Sequence, residues 1–256
     1  MQHGLFDLDG RLALVTGAGT GLGAHFARVL ADAGARLVLA ARRQDRLAET
    51  AAAITAVGGQ AHCLAVDVTD AASVKAMFER CQESVGVPDI IVNNAGISRE
   101  ALLQDMSEED WDAVVDTNLK GVHLVAAEAA RRLAAAGLPG SIINVASILG
   151  LGVQKTLGPY IAAKAAVMHL TRAQALEWSK FRIRVNALAP GYFLTDINRD
   201  FFTTPAGEAM VKRIPQRRIG ELDDLTGPLL LLAADASRYM TGSTLVVDGG
   251  HLLQQL

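Results

Sequence analysis

The sequence predicts an α/β fold, a doubly wound parallel sheet of about seven strands with helices on both faces. Three observations carry this expectation. Short runs rich in Val, Ile and Leu recur along all 256 residues. Segments with apolar residues at three-to-four spacing separate them. The strand-like runs are continuously apolar rather than alternating, the pattern of a parallel sheet covered on both sides. Right-handed crossovers then favour a Rossmann-like strand order.

The strands are expected at 11–16 (RLALVT), 36–40 (RLVLA), 62–66 (HCLAV), 89–92 (DIIV), 141–145 (SIINV), 183–188 (IRVNAL) and 244–247 (TLVV). Helical spacing covers 22–33, 44–57, 71–85, 108–136, 159–180 and 223–234. Ser107 precedes the fourth of these with acids behind it, so Ser107–Asp110 resembles a capping box. No composition shift marks a linker, and 1–256 reads as a single domain. One stretch, 192–220, breaks the alternation and carries Phe201, Phe202, Pro205 and Pro215. It is too long for an ordinary connection and is a candidate substrate lid.

The net charge of −3 gives no sign of a nucleic-acid surface. No run of about 18 apolar residues and no basic-then-apolar leader is present, so a soluble cytoplasmic protein is expected, without a membrane partner. Cys63 and Cys81 stand far apart and read as buried thiols in a reducing compartment. The six histidines (His3, His25, His62, His123, His169, His251) have no ligand-like spacing, so no metal site is expected.

After the first strand comes Thr16-Gly17-Ala18-Gly19-Thr20-Gly21-Leu22-Gly23 and then a helix. Glycines there permit a tight turn and a close approach of phosphate to the helix N-terminus. The spacing departs from G-x-G-x-x-G, because Leu22 holds the last glycine's place. In dinucleotide folds an acid about twenty residues later holds the ribose 2′-hydroxyl. Here the second strand ends Ala40-Ala41-Arg42-Arg43. A guanidinium at that tip attracts a 2′-phosphate, which favours NADP(H). Asp45 keeps NAD(H) open, and the arginines could simply begin a solvated helix.

Tyr160 and Lys164 are four apart near a helix start, so they share a face. A tyrosine with a pKa of about 10 needs a nearby cation to exchange protons near neutrality. Taken alone the pair could equally be a half-buried tyrosine and a surface lysine. Ser147 ends the fifth strand, where a hydroxyl can donate to a carbonyl oxygen that gains charge, or simply form a turn.

Together these residues resemble the single-domain branch of the short-chain dehydrogenases/reductases, over essentially the whole chain. The matching pieces are TGAGTGLG at 16–23, NNAG at 93–96, Asn118 in DTNLKG, Ser147, YIAAK at 160–164, PGYFLT at 190–195 and VDGG at 247–250. The resemblance implies Tyr160 as acid/base, Ser147 as holder of the substrate oxygen, and Lys164 as binder of the nicotinamide ribose and depressor of the Tyr160 pKa. It implies that Asn118 anchors a water linked to Lys164. On the cofactor side it implies Gly17, Thr20, Leu22 and Arg42 along the pyrophosphate and adenosine ribose, and Asp67 and Val68 at the adenine. Asn94, Ala95 and Gly96 would border the adenosine side, with Asn93 bracing strands. Pro190, Gly191, Phe193 and Thr195 would cover the nicotinamide.

The implied activity is hydride transfer between NADP(H) and a carbonyl or secondary alcohol. Alternatives are a 3-oxoacyl-carrier-protein reductase, a sugar or polyol dehydrogenase, an enzyme of the same fold that dehydrates or isomerises, or a non-catalytic NADP(H)-sensing protein. Leu176 stands where carrier-dependent relatives place a docking arginine, which lowers the carrier-protein case. Ile148, Leu149, Val153, Leu157, Phe193 and the lid phenylalanines predict a mainly apolar pocket for a medium-sized ketone. Gln154 and Lys155 are candidate polar contacts. The resemblance also implies a homotetramer, built on 108–136 and 159–180, with Leu229 to Leu232 as a further surface or as plain core.

Overall fold

The computed structural model describes residues 4–194 and 199–253. The strands are β1 (Leu12–Thr16), β2 (Arg36–Ala41), β3 (Ala61–Ala65), β4 (Ile90–Asn93), β5 (Gly140–Val145), β6 (Ile183–Pro190) and β7 (Thr244–Val247). They form one parallel sheet in the order β3-β2-β1-β4-β5-β6-β7. The order reverses between β1 and β4. Their C-terminal ends open a crevice there, the place where such sheets bind ligands.

Each strand sends alternate side chains to opposite faces, and both faces are covered. Ala13 and Val15 join Phe26 and Leu30 of α1 (Gly21–Asp32) and Leu229 and Leu232 of α9 (Thr226–Ala233). Leu12 and Leu14 face the other way, toward Met77 and Phe78 of α3 (Ala71–Ser84) and Val125 and Leu133 of α5 (Gly121–Ala136). Burial on both sides is why the strands are apolar at every position. Of the Leu229 to Leu232 run, Leu229 and Leu232 are core, and Leu230 and Leu231 are half-buried.

Several expectations need correction. The helix expected over 108–136 is broken: α4 (Glu108–Val115) and α5 are joined by a π turn at Asp116–Lys120. Ser107 caps α4 by accepting from the Asp110 amide (3.1 Å). The Asp110 carboxylate, however, takes the Ser107 hydroxyl and Arg99. A reciprocal box forms instead at Glu221 and Asp224, before α9. Cys81 is buried as expected, whereas Cys63 is exposed, because β3 is an edge strand. None of the helices among the described residues is long and apolar enough to cross a membrane.

The stretch 192–220 leaves the sheet and returns to its own starting point. Leu194 N–H donates to Gly220 O (2.8 Å), and Gly220 N–H donates to Tyr192 O (3.0 Å). A Cβ at Gly220 would lie 2.6 Å from the Phe193 ring, so only glycine lets the two ends close. Beyond this neck lie two short helices that periodicity did not reveal, α7 (Arg199–Phe202) and α8 (Pro205–Val211).

His25 of α1 is buried against the segment leading into α9, with Nδ1 3.9 Å from Asp223 and Nε2 3.4 Å from Thr226 Oγ1. Burial lowers its pKa below the ordinary 6.5, although Asp223 and a bond at the Leu222 backbone oppose the shift. The unfolded chain therefore binds the proton first as pH falls. The resulting stability is complete above 6.5 and is lost as pH drops through the folded-state value. Tm is expected to fall between about pH 7 and pH 5, with a shallower slope in His25→Gln, by scanning calorimetry. An unchanged slope would count against this assignment.

Candidate active site

The crevice is built from β1 outward. Thr16 Oγ1 accepts from the amides of Asn94 (3.0 Å) and Ala95 (3.1 Å), and Asn94 Nδ2 donates to Thr16 O (3.0 Å). These bonds clamp the turn after β1 to the turn after β4. Gly17 takes φ +66°, and a Cβ at Gly23 would sit 2.2 Å from Gly17 O and 2.5 Å from Asn94 Nδ2. Only glycine fits where helix, turn and neighbouring strand meet. Thr20, at the N-cap of α1, makes no side-chain cap bond, which leaves its hydroxyl available at the crevice. The α1 amides and Thr20 form the donor set that a pyrophosphate requires.

Arg42 follows β2 and borders the same crevice, close enough to Asp67 to favour its carboxylate form. The Asp67 pKa is lowered chiefly by hydrogen bonds from the Thr69 hydroxyl (2.7 Å) and amide (3.0 Å). Val68 lines the wall beside it. Asp45 does not reach the crevice and lies 3.9 Å from the Arg46 guanidinium. The acid that would favour an unphosphorylated ribose is therefore turned elsewhere.

The reacting end is set by β5 and α6 (Gly158–Trp178). Ser147 accepts from the Leu149 amide (3.1 Å), which starts a short turn and holds the hydroxyl at the end of β5. Tyr160 and Lys164 rise from the first turns of α6. Lys164 Nζ lies 5.6 Å from the Tyr160 ring centre and donates to Val145 O (2.7 Å). Burial drives the ammonium pKa down to about 8. Burial also raises the Tyr160 pKa, with the Ser147 hydroxyl opposing it. The resemblance implied a depressed phenol. Burial opposes that depression at the phenol, and the Lys164 ammonium donates to a backbone carbonyl.

Asn118 is fully buried in the π turn, with both amide atoms bonded to Ile97 (N–H to Oδ1 2.8 Å, Nδ2 to O 2.8 Å). A Cβ at Gly96 would lie 3.2 Å from Asn118 Oδ1 and 3.7 Å from Lys164 Nζ, so these three positions converge. The extra residue of a π turn aims Asn118 inward.

Residues 17–251 match the family described as enoyl-(acyl carrier protein) reductase, a branch of the short-chain dehydrogenases/reductases. The chain is a short-chain dehydrogenase/reductase. It is 40% identical to 2-dehydro-3-deoxy-D-gluconate 5-dehydrogenase of Dickeya dadantii, over 96% of this chain and 97% of that one. It is 35% identical to a 3-oxoacyl-[acyl-carrier-protein] reductase of Thermotoga maritima, over 96% and 99% of the two chains. The solved gluconate 5-dehydrogenase of Burkholderia cenocepacia, in complex with NADP and tartrate, superposes with a TM-score of 0.94 at 40% identity, covering 99% of each chain.

In this short-chain dehydrogenase/reductase, the sequence-derived positions Gly17, Thr20, Leu22 and Arg42 border one crevice with Asn94, Ala95 and Gly96. Ser147, Tyr160 and Lys164 border it too, as do Pro190, Gly191 and Phe193. Asn118 sits behind the wall, and Thr195 lies outside the described residues. Val153 and Lys155, expected at the pocket, are exposed and away from it, whereas Gln154 between them lines it. Sequence reasoning missed Tyr192, Met210, Arg28 and Arg46 as crevice residues. Arg46 could have been found from its place in the first turn of the helix (Gln44–Ala56) that directly follows Arg42. Also missed was the buried ladder in which Asn93 Nδ2 donates to Asn144 Oδ1 (2.8 Å) and Asn144 Nδ2 donates to Thr171 Oγ1 (2.9 Å) and Gln174 Oε1 (3.0 Å). It fixes the rotation of α6, and with it the Tyr160–Lys164 face. The bracing role expected of Asn93 agrees with this ladder.

Proposed function

We propose that this chain transfers hydride between NADP(H) and a ketone or its secondary alcohol, with Tyr160 exchanging the proton at the substrate oxygen. One observation carries the reading: a half-buried Tyr160 beside Ser147, on a helix face shared with Lys164, in the crevice that also holds the glycine turn and Arg42. NADP(H), when bound, supplies or accepts the hydride. Ser147 donates a hydrogen bond to the carbonyl oxygen and fixes its place. Tyr160 gives that oxygen a proton in reduction and takes one back in oxidation. Lys164 holds the nicotinamide ribose, and Asn118 fixes the loop at Ile97 that walls the site.

Arg42 selects the phosphorylated cofactor. Loss of NADPH absorbance, followed with a panel of ketones beside NADH, tests both parts. Wild type is expected to turn over ketones with NADPH. Arg42→Ala should raise KM for NADPH by about tenfold to a hundredfold, the worth of a hydrogen-bonded charge, with a far smaller effect on NADH. Equal effects on the two cofactors would remove Arg42 from the selection.

The excursion at 192–220 acts as a lid, presenting Phe201, Phe202 and Met210 to the crevice. The chain works as one cytoplasmic domain and assembles as a homotetramer, a state that light scattering reads directly. Leu176 is 81% exposed on α6, where a carrier-docking cation would be needed, which favours a free small molecule over a carrier-bound acyl group.

A further inference from the structure

Tyr192 stands at the end of β6 and Gln154 in the loop between β5 and α6, 38 residues away, and the Tyr192 hydroxyl donates to Gln154 Oε1. Both line the crevice with Ser147 and Tyr160. The Tyr192 ring is held by Phe202, edge-on at 6.4 Å, and by His251 at 5.6 Å. Its main chain is pinned at the lid neck by Gly220. The ring is thus fixed, and what it offers the crevice is its oxygen. Resting on the oxidoreductase reading above, we infer that Gln154 and Tyr192 form a hydroxyl-recognition pair. The substrate then carries a hydroxyl on the carbon next to the reacting one: an α-hydroxy ketone in reduction, a vicinal diol in oxidation.

The donor and acceptor inventory decides the class. Once the phenol has given its one proton to Gln154, the pair presents the two N–H donors of the Gln154 amide and the lone pairs of the Tyr192 oxygen. A hydroxyl answers both, accepting from the amide and donating to the phenol oxygen. A methyl or methylene answers neither and leaves the amide N–H groups and the phenol lone pairs without a substrate partner. A carboxylate has only lone pairs, so it meets the amide but faces the phenol oxygen with like polarity. Tyr192 and Gln154 line the same crevice wall as Ser147 and Tyr160, and burial first, then the nearby Tyr160 phenol, raise the Tyr192 pKa, which agrees with the recognised hydroxyl lying beside the reacting carbon. Leu149, Leu157 and the lid phenylalanines line the pocket, and Gln154, a candidate polar contact from sequence, forms a polar patch among them with Tyr192.

The test compares 3-hydroxybutan-2-one, butan-2-one and 2-oxobutanoate as substrates with NADPH, and butane-2,3-diol with butan-2-ol in the reverse direction. Wild type is expected to favour the hydroxy ketone over the plain ketone by about tenfold or more in kcat/KM, expressed mainly in KM. Gln154→Leu and Tyr192→Phe should each pull that ratio toward one, and a ratio is insensitive to the fraction of enzyme that folds. The inference is overturned by a wild-type ratio near one, by a preference for 2-oxobutanoate, or by a ratio that both variants leave intact. Each of those outcomes requires turnover and leaves the oxidoreductase reading standing. Absence of turnover with every ketone and alcohol would overturn that reading, and this inference with it.

Discussion

Replacing Tyr160 by phenylalanine is expected to lower kcat for ketone reduction by about a thousandfold while NADPH still binds. The ring remains to fill its place on α6, so the loss isolates the hydroxyl. The pH dependence should carry the same signature. Burial raises the phenol pKa above 10, so its proton is available throughout the neutral range. Reduction should be level through neutrality and fall in alkali, first as Lys164 loses its proton near 8 and then as the phenol ionises. Oxidation needs the phenolate to accept a proton, so its rate should climb with pH. Stopped-flow absorbance in both directions, with NADPH binding followed by fluorescence, distinguishes these outcomes. A variant that loses cofactor binding together with turnover would place Tyr160 in the architecture of the crevice rather than in the chemistry.

The second large effect concerns Lys164, where stability and activity are expected to move in opposite directions. Its ammonium is buried with Val145 O as its hydrogen-bond partner, and its pKa falls from 10.5 to about 8. Because the folded form sheds this proton first, the unfolded chain holds more protons between about 8 and 10.5, and stability rises with pH across that window. Below it the full penalty applies, about 3 kcal/mol at 1.36 kcal/mol per pH unit. Lys164→Met removes the buried charge and gives up a charged hydrogen bond worth about 2 kcal/mol. At neutral pH the variant should therefore melt at or slightly above the wild-type temperature. Its turnover should fall about a hundredfold or more, because the ribose loses its cation. A Tm lower by more than about 5 °C would show that the Val145 bond outweighs the cost of the charge.

The order of strands and helices was legible because each strand is buried on both faces and each long helix has one apolar stripe. Runs such as LALV and IIV leave few alternatives. The glycine turn was legible because Gly17 and Gly23 meet a steric demand that shows in composition. What escaped depends on contacts distant in sequence or on segments too short for periodicity. The π turn around Asn118 has no propensity signature. It is specified by Ile97, which takes both amide atoms from 21 residues away. The helices α7 and α8 have 4 and 7 residues, at or below two turns. In the loop before α6 no period says which way side chains point, so Gln154 could not be separated from Val153 and Lys155. Cys63 was misjudged because an apolar run does not reveal that its strand lies at the edge. The four-residue spacing that brings Lys164 near Tyr160 was legible as well, whereas its Val145 hydrogen bond, 19 residues away, was not.

Two main-chain hydrogen bonds at Tyr192, Leu194 and Gly220 join the start and finish of a long excursion. Between them the segment meets the rest of the fold again at Gln216, whose N–H donates to Gly249 O (3.2 Å) just beyond β7. Doubling the length of such a loop adds only about 0.6 kcal/mol of closure entropy. The part between the neck and Ile214 can therefore be lengthened or exchanged between related chains with little effect on the strand ends that carry the chemistry. Catalytic step and part of the pocket wall are separable inheritances in this architecture: a chimera cut at 194 and 220 would keep the first, together with Gln154 and Tyr192, while importing the wall that Phe201, Phe202 and Met210 form.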